Sequence, residues 1–554
     1  MKKHLIMLPL LALALTSCGG NNNPSTSGES SSPSSSSSEP AWTGKTNADF
    51  QKAKTTYTKG GVEYQLNRNS LYKNQDAPHL DPMSKESHVM VVPFGFTDRT
   101  AVQTQANIDR IQKCFMGTTE EIRAVGGWES LASFYNKSSY GKTKFGGQVL
   151  PTWCVYEGTT TQFNGGGVKA AEYAKTWYEA EYAKANHGAL GADAHPISWF
   201  DADNDGFLDL VWVVYSAKTV QGTDWWAYVT YTTNKKGTAT SPNVKTLGWA
   251  SIDWLDKGFG GYDPHTFIHE TGHTFGLDDY YDYNGAWAPM GGVDFMDHNL
   301  GDHSMYSKFS LGWTAPLIVN DTARITLHPG TTTGDCFLLP SPGYNGTAFD
   351  EYMMVELMAP VGLAEQDYKN GYESTAGFSE PGIRITHVDA RAYSNDPNKP
   401  LTTNPEDGID VRFDNSKGGR ASGSYHAYHD WMTREDGSKF YCPEFSLMES
   451  SFSEATNWTT SNTYNASNKT LFKKNARFNL KPNDVWAKNF MPSGTNLWNK
   501  AKTITSWTNT QKDDTQKSTI DETCTFNYSL KVISVEPNAE YGYEAVVEVT
   551  ANAY

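Results

Sequence analysis

His269-Glu270-Thr271-Gly272-His273-Thr274-Phe275-Gly276-Leu277-Asp278-Asp279 follows an Asp263-Pro264 pair after a short spacer. Asp263 suits a helix N-cap, and Pro264 suits the first helical position, where its missing N–H costs nothing. His269 and His273 are then one helical turn apart and face the same side. Two imidazoles so placed both reach one Zn2+ at about 2.0–2.1 Å. Glu270 lies one position round, close enough to touch a water without being a ligand, as a general base must. Gly276 permits the left-handed residue that ends a helix. The chain then turns back and offers Asp279 as a third ligand, with Asp278 and Asp282 as neighbouring alternatives. Three protein ligands leave one position open, the arrangement of a catalytic zinc site. The competing structural reading is an exposed helix with unrelated histidines. The glycine and the acid at their set spacings make the zinc reading the more specific.

Around this motif the pattern alternates strand and helix. His88 to Phe94 reads as a first buried strand. Residues 101–123 and 128–137 look helical, and 167–186 form an Ala-rich amphipathic helix. Leu208 to Tyr215 is a continuous apolar run, which predicts a central strand covered on both faces. Residues 264–275 and 304–312 are again helical. From about 322 the pattern changes to short strands with Gly, Pro and Asn turns: RITLHPG, CFLLP, EYMMVELM and GIRITHV. The stretch 400–554 is richer in Asn, Ser, Thr and Trp and ends in EYGYEAVVEVT, a β-rich pattern. The fold class is α+β.

A second cluster of ligand chemistry precedes the central strand. Asp201-Ala202-Asp203-Asn204-Asp205-Gly206-Phe207-Leu208-Asp209 alternates carboxylates around a glycine turn. Ca2+ takes six to eight oxygens, and this spacing folds several onto one centre. Asp201, Asp203, Asp205, Asp209 and the carbonyl of Phe207 are the candidate ligands. An EF-hand is excluded, because Trp212 stands where its bidentate Glu belongs and a strand follows. The cation's role would be structural, neutralising four carboxylates; the alternative is a solvated acidic turn.

The chain has 554 residues with Lys+Arg 46 against Asp+Glu 62, a net charge of −16. That length suggests several domains. An acidic chain without a basic block is a poor nucleic-acid binder. At the start, Lys2 and Lys3 precede an apolar run from Leu5 to Leu15, too short to span a membrane but suited to a signal peptide. It ends in Leu15-Thr16-Ser17-Cys18, which resembles a bacterial lipobox, with cleavage before Cys18 and lipidation of its thiol. Residues 19–40 are Gly, Asn, Ser, Pro and Glu and cannot offset their ordering entropy by burial. The expectation is a protein on the bacterial cell surface, anchored through Cys18 and facing outward. The other cysteines, Cys114, Cys154, Cys336, Cys442 and Cys524, form no CxxC and so no zinc knuckle or redox motif.

With these motifs in hand a family resemblance becomes specific. HExxHxxGxxD followed by Ala288-Pro289-Met290-Gly291-Gly292-Val293-Asp294-Phe295-Met296-Asp297 resembles the secreted zinc metallopeptidases of the immune inhibitor A family. Ser130 to Lys142, Gly301-Asp302-His303-Ser304 through Lys308 to Gly312-Trp313, and Gly382 to Asp389 match as well, so the likeness covers roughly 86–395. The calcium loop also resembles one in this family. The resemblance implies a metzincin-like peptidase domain, a mixed sheet plus an active-site helix, followed by a β-rich C-terminal region. Met296 would supply the Met-turn beneath the metal, with Met290 as the alternative. Two departures stand out: the best-known metzincins have His at the position of Asp279, and no Tyr lies two residues after Met296. Tyr280, Tyr281, His303 or Tyr306 would then stabilise the oxyanion.

The expected organisation is signal peptide 1–17, lipidated tether 18–44, arm or prosegment 45–85, catalytic domain 86–320, β-rich subdomain 321–400 and β-rich accessory module 401–554. The expected activity is zinc-dependent endoproteolysis of extracellular proteins or peptides. The alternative is an inactive or processing-only surface adhesin whose C-terminal module binds host protein or glycan. Intact Glu270 weighs against it, and the Trp residues after 430 fit either a glycan-binding face or an ordinary β-module core.

Overall fold

The apolar runs near 90 and 210 cannot face water on either side, and they become neighbouring central strands. In the computed structural model, residues 42–66, 80–84, 86–256, 261–281, 290–341, 344–372, 375–390, 432–433, 439–440, 445–450, 466–479, 503–504, 506–509, 514–516, 520–521 and 526–552 are described. The expected signal peptide, Cys18 and the expected tether as far as residue 41 lie outside them, as do Asp282, His426, His429, Trp431, Cys442 and Cys524. Cys114, Cys154 and Cys336 are buried free thiols. Among the described residues no helix is long and apolar enough to cross a membrane.

A hairpin of β1 (Thr56–Lys59) and β2 (Val62–Gln65) precedes the first sheet. That sheet comprises β3 (Ser87–Phe96), β4 (Phe145–Val149), β5 (Cys154–Tyr156), β6 (Leu210–Tyr215), β7 (Tyr228–Tyr231) and β8 (Thr246–Ser251). Its order is β4-β3-β6-β8-β7, with β5 beside β3. All pairings are parallel except that of the edge strand β7 with β8. The two-residue period of a strand sorts the side chains. Val89, Val91, Leu210, Trp212 and Val214 face one way, onto α1 (Gln105–Met116), α2 (Leu131–Ser138) and α4 (His265–Thr274). Met90, Val92, Phe94, Val211, Val213 and Tyr215 face the other way, onto α3 (Gly166–Tyr182). The expected central strand is thus buried on both faces. Gly248 is required there, because a β-carbon on it would sit 2.6 Å from the Trp212 ring.

Two more sheets follow. β9 (Leu317–Ile318), β11 (Cys336–Pro340), β12 (Glu351–Met358), β13 (Gly382–Asp389) and β14 (Phe445–Met448) make a five-stranded sheet. β10 (Ala323–Leu327), β15 (Arg477–Asn479), β16 (Tyr528–Asn538) and β17 (Gly542–Ala551) make an antiparallel four-stranded sheet in the order β10-β17-β16-β15. Phe337, Leu339, Met353, Val355, Ile383 and Ile385 meet Ile325, Phe478, Leu530, Val532, Val547 and Val549 in one core. On the other face of the five-stranded sheet, Leu338, Tyr352 and Met354 join the core that holds the helix of the zinc motif. Strand pairing therefore runs across the expected boundary at 400/401, since Ala323–Leu327 pairs with the C-terminal strand. The shared core is the physical reason: neither sheet buries its apolar face without the other. Elsewhere after 400 the described strands are short, such as Ser506–Asn509 against Asp514–Gln516.

The N-terminal arm is stitched onto the sandwich. Ile318 N–H donates to the Gln51 carbonyl at 2.8 Å and Ala53 N–H to the Pro316 carbonyl at 2.8 Å. The Asn47 carboxamide exchanges two 2.8 Å hydrogen bonds with the backbone of Thr326. Leu80 N–H donates to the Thr274 carbonyl at 2.7 Å, satisfying a group at the end of α4.

Candidate metal centre

α4 begins one residue later than the sequence predicts: Pro264 stands at the N-cap position without a side-chain cap bond, and Asp263, one residue earlier, accepts from the His265 amide at 3.0 Å. Gly276, at φ +85°, terminates the helix by turning left-handed. The helix is held from both sides: Trp212 Nε1 donates to Thr271 Oγ1 at 3.1 Å, and the Tyr135 hydroxyl donates to the Ile268 carbonyl at 2.6 Å.

The turn after Gly276 brings Asp279 back over the histidines. Its Oδ1 lies 2.9 Å from His269 Nε2 and 3.3 Å from His273 Nε2. On the far side of each ring, His269 Nδ1 is 3.1 Å from the Phe295 carbonyl and His273 Nδ1 is 2.7 Å from the Leu277 carbonyl. A carbonyl only accepts, so both Nδ1 atoms carry hydrogen, which turns each Nε2 toward the shared point, where its lone pair would serve a metal. Burial pulls the His273 pKa down, but Asp279 more than reverses this and lifts it to about 10. Asp279 in turn is held well below the usual carboxylate range by His273 and His269, despite its burial. The donor set, two imidazole nitrogens and one carboxylate oxygen with an open side, fits zinc.

Glu270 is half-buried beside this cluster. Burial raises its pKa, while His273 and His269 oppose the rise and the Val229 backbone on β7 donates a hydrogen bond to it. Beneath lies α5 (Phe295–His298), whose Asp294 cap accepts from Met296 N–H at 2.8 Å. Met296 is fully buried, and a β-carbon on Gly272 would sit 2.5 Å from its sulfur. Met296 therefore touches the helix between the two histidines.

Of the four residues expected at the oxyanion, three are spent elsewhere. The Tyr280 hydroxyl bonds Ser307 Oγ at 2.8 Å, and Tyr306 is buried in the core. His303 is caged by Phe134, Tyr135, Phe295 and Trp313, and burial pushes its pKa down to about 3, so it stays neutral. Tyr281 remains, half-buried, with its ring 6.4 Å from that of His269. Tyr231 was not foreseen; its hydroxyl donates to the His273 carbonyl at 3.2 Å. No short-range signal marks it, because it arrives on the edge strand.

His265 is no ligand. Its Nδ1 lies 2.5 Å from Asp263 Oδ1 and its Nε2 lies 3.0 Å from Asp367 Oδ1 on α6 (Leu363–Asn370). The imidazole is stacked between Trp128 and Tyr372 at 4.7 and 4.2 Å. Burial lowers its pKa, but Asp367 and Asp263 outweigh this and raise it to about 10.

In the acidic loop, carboxylate oxygens of Asp201, Asp203 and Asp209 lie within 4.8 Å of one another. Asp205 stands outside this trio and accepts from Phe207 N–H at 2.8 Å. Asp209 accepts from Ala202 N–H at 3.0 Å and from His88 N–H at 2.7 Å, tying the loop to β3. Burial raises the pKa of Asp201, Asp205 and, to about 7, Asp209, with neighbouring aspartates adding to the rise. An oxygen-rich site whose carboxyls resist ionisation fits a hard cation such as Ca2+. Compared by sequence, the chain matches no protein-family model and no curated protein.

Proposed function

We propose that this chain is a zinc-dependent endopeptidase of metzincin-like design, similar to the immune inhibitor A family. It would act at the bacterial cell surface on extracellular proteins or peptides, held there by the lipidated Cys18. The observation that carries the reading is the convergence of His269 Nε2, His273 Nε2 and Asp279 Oδ1, with each imidazole oriented from behind by a backbone carbonyl. His269, His273 and Asp279 would hold the zinc. When bound, it supplies Lewis acidity that polarises a peptide carbonyl and acidifies a water molecule.

The remaining steps belong to the chain. The raised pKa of Glu270 suits a base that takes a proton from the attacking water and returns it to the departing amine. Its neighbour β7 is an edge strand, and in this reading an extended peptide would pair along it beside Glu270. The Nδ1–H bonds keep the two imidazoles from rotating through the cycle. The acidic loop holds Ca2+ in a structural role in this reading.

The test is hydrolysis of casein or a quenched-fluorescence peptide library by the chain without its first 18 residues, beside Glu270→Gln. Wild type should cleave with about one zinc per chain by mass spectrometry. Glu270→Gln should keep the zinc and lose at least about a hundredfold in rate. Absence of both zinc and cleavage in wild type overturns the proposal.

A further inference from the structure

A cleft of about 500 Å3 opens where the two sheets of the sandwich meet, between β9, the loop after β11 and the paired ends of β16 and β17. Its volume lies within the range of small-molecule sites. Tyr344 and Tyr528 bring half-buried rings to it. Asn320, Asn345, Asn527, Asn552 and Ser341 also line it. Among the described residues no Asp, Glu, His, Lys or Arg lines it.

This lining selects a ligand class. Phosphate or carboxylate ligands are recognised by Arg and Lys forks, and among the described residues none lines the cleft; the Lys54 side chain lies against Gly346 at its rim. An added peptide strand is excluded by the edges. The outer edge of β9 is taken by the arm at Gln51, while β16 and β17 have strands on both sides. What remains is a ligand with neutral vicinal hydroxyls and apolar C–H faces. Carboxamides both donate and accept, as paired hydroxyls require, and tyrosine rings offer flat apolar surface.

We propose that this cleft is a binding site for neutral glycans, a second recognition site built by strands from both halves of the sandwich. It is made of residues other than the C-terminal tryptophans, and it does not depend on the peptidase reading. It would place the enzyme on glycosylated surfaces or on glycoprotein substrates.

The test uses the chain without its first 18 residues on a printed array carrying mannose-, galactose- and N-acetylglucosamine-terminated glycans beside sialylated ones. Calorimetry on the best neutral oligosaccharide follows. Neutral glycans should bind and sialylated ones should not. Asn320→Ala and Asn552→Gly should each weaken binding about twofold to tenfold. Asn320 is exposed, and glycine keeps the left-handed backbone of Asn552 (φ +53°), so both variants should melt and hydrolyse casein as wild type does. Glu270→Gln should bind glycan unchanged. Absence of neutral-glycan binding, equal binding of sialylated glycans, indifference to both Asn substitutions, or loss with Glu270→Gln would each overturn the proposal. Glycan binding without proteolysis would overturn the peptidase reading alone.

Discussion

Gly272, between the two histidines, has a methionine sulfur where its β-carbon would be. The variable position of the zinc motif is therefore not free in this chain. Gly272→Ala should destabilise the fold by about 1–3 kcal/mol, the cost of overpacking a filled core, and loosen the zinc site. Denaturant midpoints and zinc content measure both. A wild-type midpoint would show that Met296 moves aside freely and is no fixed floor. Residue identity also sorts the acids here. Asp279 reaches both imidazoles, and Asp263 and Asp367 flank a different histidine one turn earlier.

That earlier histidine acts at the scale of elements, because it joins α4 to α6. The folded pKa of His265, about 10, lies above its unfolded value of 6.5. Its contribution is then complete below about 6.5 and is lost as pH rises toward 10. Unfolding free energy measured from pH 6 to 9.5 should fall more steeply for wild type than for His265→Gln. Parallel profiles would show that the imidazole is not charged between its two aspartates. The acidic loop is a second element with a measurable role. Adding Ca2+ to calcium-depleted protein should raise its melting temperature, by about 2.7 kcal/mol of stability at a hundredfold excess over Kd. Asp203→Asn, at an exposed position of the trio, should abolish most of that increment. A melting temperature indifferent to Ca2+ would reduce the loop to an acidic turn.

For the whole molecule the decisive contact is Ala323–Leu327 against the C-terminal strand. A chain ending at residue 400 lacks β14, β15, β16 and β17, and bares Phe337, Met353, Val355 and Ile385 on one sheet face. Such a patch is an aggregation liability. The 42–400 fragment should be insoluble or unfold without cooperativity by circular dichroism and calorimetry, although it contains every candidate zinc ligand. A soluble, cooperatively folding fragment would restore the boundary at 400 as a true domain border.

The elements that the sequence determines are those set by local spacing. The helix, the left-handed Gly276, the two histidines on one face and the apolar run of β6 all follow from periods of 3.6 and 2. The Ala-rich helix, expected over 167–186, ends at Tyr182, because the backbone turns extended at Lys184, and Asn186 and His187 then turn left-handed at φ +51° and +55°. Choosing Asp279 over Asp278 rested on spacing alone, and the turn after Gly276 brings the former onto the histidines. Tertiary structure decided what joins distant residues: Asp367 on His265, Val229 and Tyr231 beside the motif, the arm on β9, and the cleft shared by Tyr344 and Tyr528. It also decided which of Tyr280, Tyr281, His303 and Tyr306 face the core. A periodic pattern tells a side chain which face to bury; only packing against a partner far along the chain settles what it meets there.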